Sequence, residues 1–322
     1  MKKKVVIGID LGGTNTSIGF IDAEGKSIYE NSILTLAEQG AEKLFERCFL
    51  ECEKSFKKFE NEFELVGIGI GAPNGNYYNG TIEFPPNLNW GYVNVLDIVK
   101  KYSPLPCAVT NDANAAAIGE MLFGAAKGMK NFILITLGTG LGSGIVVNGE
   151  LVYGADGFAG EIGHTIVDPN GRECGCGRKG CLETYASATG IRRTVFELMG
   201  TTNLPSELRD ISFSGLTAKE IANAANRGDK IALRAFDYTA KILGLKLADS
   251  VAHLSPEAII LFGGLALSGD LIFTPTKRYM EDYLLQIFKD KVRIIPSALP
   301  GAGAAVLGAS ALIWNELRKE QV

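Results

Sequence analysis

One cluster of side chains in this sequence could bind a metal ion. It consists of a histidine and three cysteines within residues 161–183: His164, Cys174, Cys176 and Cys181. One imidazole and three thiolates complete a tetrahedral zinc set, and the interleaved glycines allow the chain to wrap around an ion. Because protein atoms would fill all four positions, we predict a structural zinc ion rather than a catalytic one. A cluster of reduced thiols without metal is the alternative.

Acidic residues at two places could do proton or hydroxyl chemistry. Asn111 and Asp112 lie between an apolar segment, which we predict to be a strand, and the start of a predicted helix. Ligand crevices of α/β proteins form at the carboxyl ends of strands, where Asp112 could accept the proton of an attacking hydroxyl group. Both residues are also good helix N-caps, which leaves a structural role open. Glu161 and Glu183 flank the cysteine cluster and could accept hydrogen bonds from sugar hydroxyls, or could be ordinary surface charges.

Three glycine-rich turns could bring backbone N–H groups close to phosphate. They are the segment 10–15, the alternating glycines of 137–144, and Gly263-Gly264 at the end of a predicted strand. Turns lined with amides bind anions, although plain hairpins and strand-to-helix turns can carry the same glycines. The sequence contains neither a P-loop nor a Gly-x-Gly-x-x-Gly dinucleotide motif after a strand.

The elements that must position these residues are strands and helices in alternation. Apolar, β-branched segments predict strands at 4–10 and 64–71, and helical spacing of apolar residues predicts a helix over 36–59. The opening pattern returns later, because residues 7–12 align with residues 133–138. We therefore predict two related α/β halves that face a cleft. A chance match between two glycine hairpins is the alternative.

Composition and charge exclude several classes of protein. Of the 322 residues, 46% are hydrophobic and 21% are charged, which is typical of folded globular chains. The formal net charge of −4 argues against nucleic acid and against an anionic membrane as main partners. No apolar run reaches the roughly 18 residues of a membrane span. The first residues show no signal-peptide core, so we expect a cytoplasmic protein.

These motifs occur together, in this order, in one family. The chain resembles the ROK family (repressors, open reading frames and sugar kinases), and within it the bacterial glucokinases. The resemblance runs over almost the whole chain, and the zinc cluster beside Glu161-Ile162-Gly163-His164 is its most specific part. The other matching segments are residues 10–14, 71–75, 86–88, 111–114 and 137–144.

The resemblance implies an actin-like ATPase (ribonuclease H-like) α/β fold with two α/β domains around a cleft. The smaller domain would comprise residues 1–118 and 304–322, with the C-terminal helix returning to it. The larger domain would comprise residues 119–303 and would hold the zinc-binding loop at 161–183.

The resemblance also implies ATP-dependent phosphorylation of a hexose, with glucose and its 6-hydroxyl group as the expected acceptor. Asp112 would be the general base, and Asp10 would hold Mg²⁺ through water. The implied sugar-binding residues are Asn87, Asn111, Asp112, Glu161, His164 and Glu183, with His164 shared between sugar and zinc. The implied nucleotide-binding residues are Asp10, Gly12, Gly13, Thr14, Gly138, Thr139, Gly263 and Gly264.

Several alternatives stay open at this point. The acceptor could be N-acetylmannosamine, N-acetylglucosamine, fructose or allose, since we expect selectivity to depend on the loop at 72–92. The donor could be polyphosphate, and the protein could be a sugar-binding regulator without kinase activity. A repressor of the family would carry a helix-turn-helix domain before a first strand that here starts near Val5, so we do not expect one. Family members are commonly dimers or tetramers, and we expect a homo-oligomer.

Overall fold

The computed structural model of the chain describes residues 1–299, 301 and 303–319. The strands β1 to β13, in chain order, are Lys3–Leu11, Asn15–Asp22, Ser27–Leu34, Phe63–Gly71, Gly75–Asn76, Thr81–Glu83, Tyr92–Asn94, Cys107–Thr110, Phe132–Leu137, Leu141–Val147, Glu150–Leu151, Ala258–Phe262 and Arg293–Pro296. The helices α1 to α8 are Ala41–Phe56, Val95–Val99, Asp112–Phe123, Ala188–Thr201, Ala218–Asn226, Lys230–Leu254, Asp270–Tyr283 and Ala304–Lys319. Short 3₁₀ helices cover Ala37–Gln39, Ile162–His164, Leu182–Thr184, Glu207–Asp210, Ala266–Ser268 and Gln286–Phe288.

Contacts along the chain divide it into two compact units. The first unit contains residues 1–129, residues 151–160 and the chain from Ala298 onward. The second contains residues 130–150 and 161–297. Domain ends at 118/119 and 303/304 stay a prediction of the sequence. The first unit extends beyond residue 118 because α3 continues to Phe123 and packs closely on α8, where Gly119 faces Gly308.

The first unit is built on a five-stranded sheet of order β3-β2-β1-β4-β8. Strand β2 runs antiparallel to β1, whereas β1, β4 and β8 are parallel. Alternate residues of β1 point to opposite faces of the sheet. Ile7 and Ile9 join the cluster of α1, and Val6 packs with Ile313 and Trp314 of α8.

Helix α8 lies very close to this sheet because two strand residues have no side chain. A Cβ atom at Gly8 would overlap the Ser310 hydroxyl group, and one at Gly69 would overlap the carbonyl oxygen of Ala309. Glycine at these two positions therefore sets the distance between α8 and the pair of strands β1 and β4.

The second unit repeats the same sheet. Its strand order is β11-β10-β9-β12-β13, with β10 antiparallel to β9, and with β9, β12 and β13 parallel. Its hydrophobic core is formed by side chains of this sheet packed against side chains of α4, α5, α6 and α7. The repeated order confirms the prediction of two related α/β halves, and the fold is the actin-like ATPase type that the resemblance implied.

The segment that we predicted as a long loop after β4 contains a small antiparallel sheet of β5, β6 and β7. Its strands are only two or three residues long, so they leave no readable alternation in the sequence. None of the helices formed by the described residues is long and apolar enough to cross a bilayer.

Candidate active site

Two aspartates approach each other in the first unit. Asp10 lies near the end of β1, and Asp112 is the first residue of α3, directly after β8. Between them, Gly71 of β4 pairs with Asp10, and a Cβ atom at Gly71 would lie 3.7 Å from Asp10 Oδ1 and 3.8 Å from Asp112 Cα. The missing side chain at Gly71 thus leaves room for both carboxyl groups at the carboxyl ends of parallel strands.

Their surroundings raise the pKa of both carboxyl groups. Burial, followed by the charge of Asp112, raises the pKa of Asp10 to about 7. Burial also raises the pKa of Asp112, while a hydrogen bond from the Ala113 N–H to Asp112 Oδ1 (2.8 Å) lowers it. The Asp112 side chain is nevertheless open to solvent. A substrate hydroxyl group can therefore reach the Asp112 carboxylate, and a raised pKa makes that carboxylate a stronger proton acceptor.

Asn111 and Asp112 divide the two roles that the sequence left open. Asn111 is the N-cap of α3, and its Oδ1 accepts hydrogen bonds from the N–H groups of Ala113 (2.8 Å) and Asn114 (3.4 Å). Asp112 follows it in the first turn, where the helix dipole favours a carboxylate. Asn111 therefore supplies the cap. Neither Asp112 Oδ2 nor the side-chain NH₂ group of Asn111 takes part in these hydrogen bonds.

The turn between β1 and β2 carries the first phosphate-binding candidate. The Gly12 N–H donates to the Asn15 carbonyl oxygen at 3.1 Å, and Gly13 and Thr14 are exposed. Asn87, predicted to bind sugar, lies against Gly13, because a Cβ atom there would be 3.2 Å from Asn87 Cβ. Thr35 supports the turn from behind through its hydroxyl bond to the Gly12 carbonyl oxygen (2.7 Å). Sequence reasoning missed Thr35, and no motif marks it.

In the second unit, the four predicted metal ligands converge. The ligand atoms of His164, Cys174, Cys176 and Cys181 all lie within 4.8 Å of one another. Cys174 Sγ is 3.7 Å from His164 Nδ1, and Cys176 Sγ is 3.6 Å from Cys181 Sγ. Ligands held at about 2.0–2.3 Å in a zinc tetrahedron lie roughly 3.5–3.8 Å apart. These two pairs have that spacing, and the whole set, within 4.8 Å, is close enough to close around one zinc ion.

The thiols of this set differ in acidity. Burial raises the pKa of Cys174 to about 12. Burial also acts upward on Cys176, but hydrogen bonds from Arg178 and the neighbouring thiols lower its pKa to about 6. At least one thiolate, the form that binds metal, is thus available at neutral pH.

The two glutamates beside the metal-binding set lie close to strand β10. Glu161 precedes the 3₁₀ helix Ile162–His164, whose first N–H group donates to Ser143 Oγ at 3.2 Å. Glu183 lies in the 3₁₀ helix Leu182–Thr184, and its Oε2 accepts a hydrogen bond from the Leu141 N–H at 2.9 Å. Its Oε1 is 3.8 Å from Cys174 Sγ. Glu183 therefore contacts both the cysteine set and the start of β10.

The second pair of glycine turns also comes together. Gly138 and Thr139 form the turn between β9 and β10, and Gly263-Gly264 follow β12, which pairs with β9. The Leu265 N–H donates to the Leu137 carbonyl oxygen at 3.0 Å, which fixes the two turns side by side. Thr136, another residue that sequence reasoning missed, accepts a hydrogen bond from the Gly142 N–H at 3.0 Å.

A cavity of about 560 Å³ beside α1 is lined by none of the predicted site residues.

Comparison with known proteins finds similarity to sugar kinases over nearly the whole chain. The sequence model of the ROK family matches residues 6–316 of this chain. The glucokinase of Halalkalibacterium halodurans is 37% identical over an alignment of 321 positions, which covers 98% of this chain and 97% of that protein. The glucokinase of Thermotoga maritima is 36% identical over an alignment of 323 positions, which covers 98% of this chain and 99% of that protein. The crystal structure of a ROK family glucokinase from Streptomyces griseus, in complex with glucose and AMPPNP, matches with a TM-score of 0.79 at 34% identity, covering 96% of this chain and 98% of that one.

Proposed function

The chain belongs to the ROK family, and from that membership we propose that it is a glucokinase, which transfers the terminal phosphoryl group of ATP to the 6-hydroxyl group of glucose. The observation that carries the proposal is the position of Asp112. Its carboxylate lies just after the carboxyl end of a parallel strand and beside Asp10, and its Oδ2 takes no part in the bonds at the start of α3. Similarity to glucokinases over nearly the whole chain supports the same activity.

Asp112 acts as the general base in this mechanism. Phosphoryl transfer depends on alignment and charge stabilisation more than on covalent catalysis. The attacking hydroxyl group loses its proton late, so a carboxylate needs no large pKa shift to accept it. Hydrogen bonding by Asn111 to the start of α3 holds Asp112 in place. Asn87 and Asn111 of the first unit, and Glu161, His164 and Glu183 of the second, would bind the sugar hydroxyls.

The glycine turns would hold the nucleotide. Exposed backbone at Gly13, Thr14 and Thr139 can approach phosphate closely. The proposed nucleotide set also includes Gly12, Gly138, Gly263 and Gly264. Asp10 would hold Mg²⁺, which neutralises phosphate charge when bound.

Zinc would have a structural role. The ligand set His164, Cys174, Cys176 and Cys181 leaves no open coordination position, so the ion would fix the loop at 161–183 and with it the sugar-binding Glu161 and Glu183. We further propose a homo-oligomer in the cytoplasm that does not bind nucleic acid. The net charge of −4 supports the expected lack of nucleic-acid binding, and six cysteines without a disulfide support a reducing compartment.

Sugar and donor preference can be measured in one experiment. ADP release is followed with ATP, Mg²⁺ and glucose, and in parallel with N-acetylmannosamine, N-acetylglucosamine, fructose and allose at equal concentrations. We expect glucose to give the highest kcat/KM. A higher value for another sugar would contradict the glucose assignment and direct attention to residues 72–92. If no sugar reacts with ATP but one reacts when polyphosphate replaces ATP, the result would contradict ATP as the donor.

A further inference from the structure

The Glu183 carboxylate contacts the proposed phosphate-binding hairpin of residues 138–142. Its Oε2 accepts a hydrogen bond of 2.9 Å from the backbone N–H of Leu141, which lies 42 residues earlier in the chain. A Cβ atom at Gly140 would overlap the same oxygen. The hairpin and the Glu183 carboxylate therefore fit each other. The missing side chain at Gly140 leaves room for the carboxylate, and the N–H of the next residue, Leu141, binds it.

Other hydrogen bonds hold the hairpin at its two ends and within its turn. The Gly142 N–H donates to Thr136 Oγ1 at 3.0 Å, the Gly138 N–H donates to the Gly140 carbonyl oxygen at 3.0 Å, and the Ala188 N–H donates to the Gly138 carbonyl oxygen at 2.9 Å. Alternating glycines leave such a turn flexible. A charge-assisted bond to the amide just after Gly140 restricts it before a nucleotide arrives, which lowers the ordering cost of binding.

Glu183 is itself held firmly enough to position another element. Its carbonyl oxygen accepts a hydrogen bond from Ser187 Oγ at 2.7 Å, at the N-terminus of α4. The next carbonyl group, that of Thr184, accepts from Nη1 of the buried Arg172 at 2.6 Å. These bonds fix the backbone on which the carboxylate stands.

We propose that Glu183 is a positioning residue for the nucleotide-binding hairpin, acting through the Leu141 N–H, in addition to its place in the proposed sugar set. The inference rests on the proposed function, because it takes residues 138–142 as a phosphate-binding element. One carboxylate then serves both substrates: it binds the acceptor sugar and orders the backbone that receives the donor. Removing it weakens nucleotide binding even when no sugar is present.

The test measures nucleotide affinity without sugar. AMPPNP with Mg²⁺ is titrated calorimetrically into the purified full chain, as wild type, Glu183→Ala and Glu183→Gln. We expect Glu183→Ala to weaken the Kd about tenfold, because the amide loses its acceptor. Glu183→Gln should weaken it about two- to fivefold, because a neutral oxygen still accepts the bond. A residue that only binds sugar would leave both values unchanged.

Glu257 offers a matched control. Its carboxylate also accepts backbone bonds in the second unit, from the N–H groups of Lys130 (2.8 Å) and Asn131 (3.0 Å), before the start of β9 and away from the hairpin. Glu257→Ala should leave the Kd of AMPPNP unchanged. An equal loss in Glu257→Ala, or unchanged or tighter binding in both Glu183 variants, would overturn the inference. Wild-type protein that binds no AMPPNP would overturn the proposed function together with it. If Glu183→Ala does not fold, Glu183→Gln alone decides.

Discussion

Replacing Asp10 by asparagine should make the protein more stable and less active. Asp10 and Asp112 stand on either side of Gly71, and burial together with the charge of Asp112 raises the pKa of Asp10 from 3.8 to about 7. A raised pKa means that the folded protein holds this proton more tightly than the unfolded chain. The contribution of Asp10 to stability therefore falls as the pH rises from about 4 to about 7, and it stays low above that.

The size of the effect follows from the shift. About 3 pKa units correspond to at most ~4 kcal/mol at pH 8. Asp10 is partly exposed, and solvent screening reduces this figure, so we expect a gain of ~2 kcal/mol for Asp10→Asn at pH 8. For a unit of this size, that is an increase in Tm of about 4–8 °C. At pH 5 the gain should be much smaller, since Asp10 is then protonated in the folded protein.

Differential scanning calorimetry in magnesium-free buffer at pH 5, 6, 7 and 8 measures the difference. Asp282→Asn, at an exposed position of α7, removes the same charge where water solvates it, and should show no pH-dependent gain. The ADP-release assay should show strongly reduced turnover for Asp10→Asn, because Asp10 would hold Mg²⁺. A gain in Tm that is equal at pH 5 and pH 8, or a loss at pH 8, would refute the reasoning.

Three further predictions concern the base, the zinc site and its support. Asp112→Asn should lower kcat by about 10²–10⁴ with little change in the KM for glucose; a kcat near that of the wild type in steady-state assays would leave Asp112 without a catalytic role. Elemental analysis should find one zinc ion per wild-type chain, and Cys176→Ser should lose zinc and lower the Tm, whereas zinc-free wild-type protein would contradict the site. Arg172→Met should lower the free energy of unfolding by ~3 kcal/mol in urea titrations, because it removes the guanidinium donor to the Thr184 carbonyl group and leaves Glu197 without its partner. Arg172→Lys should recover only part of this loss, since one ammonium group cannot replace a five-bond guanidinium.

The sequence predicted those parts of the site whose chemistry is local. The metal-binding set could be predicted because its four residues lie close together in the sequence, between 164 and 181, and all of them are typical zinc ligands. The duplicated sheet could be read because residues 7–12 and 133–138 carry the same apolar pattern before a glycine. The role of Asn111 as a cap was also one of the two readings that its position after a strand allowed.

Other features depend on contacts that no local pattern encodes. The approach of Asp10 and Asp112 requires Gly71, which lies on a third strand. The bond from Leu141 to Glu183 joins residues 42 positions apart. Thr35 is one polar residue among many, and only the folded turn shows that it supports Gly12. The return of residues 151–160 to the first unit likewise has no signal in composition or spacing.

The closeness of α8 to Gly8 and Gly69 has a consequence for synthesis of the chain. During translation, β1 and β4 emerge early, but the helix that covers one of their faces follows the entire second unit. At about 5–20 residues per second, that face waits on the order of 15–60 s for its cover. The second unit, residues 130–150 and 161–297, is synthesised in the meantime. The nascent chain therefore exposes Val6 and the bare backbone at Gly8 until α8 leaves the ribosome, and this interval is when a chaperone would have its binding surface.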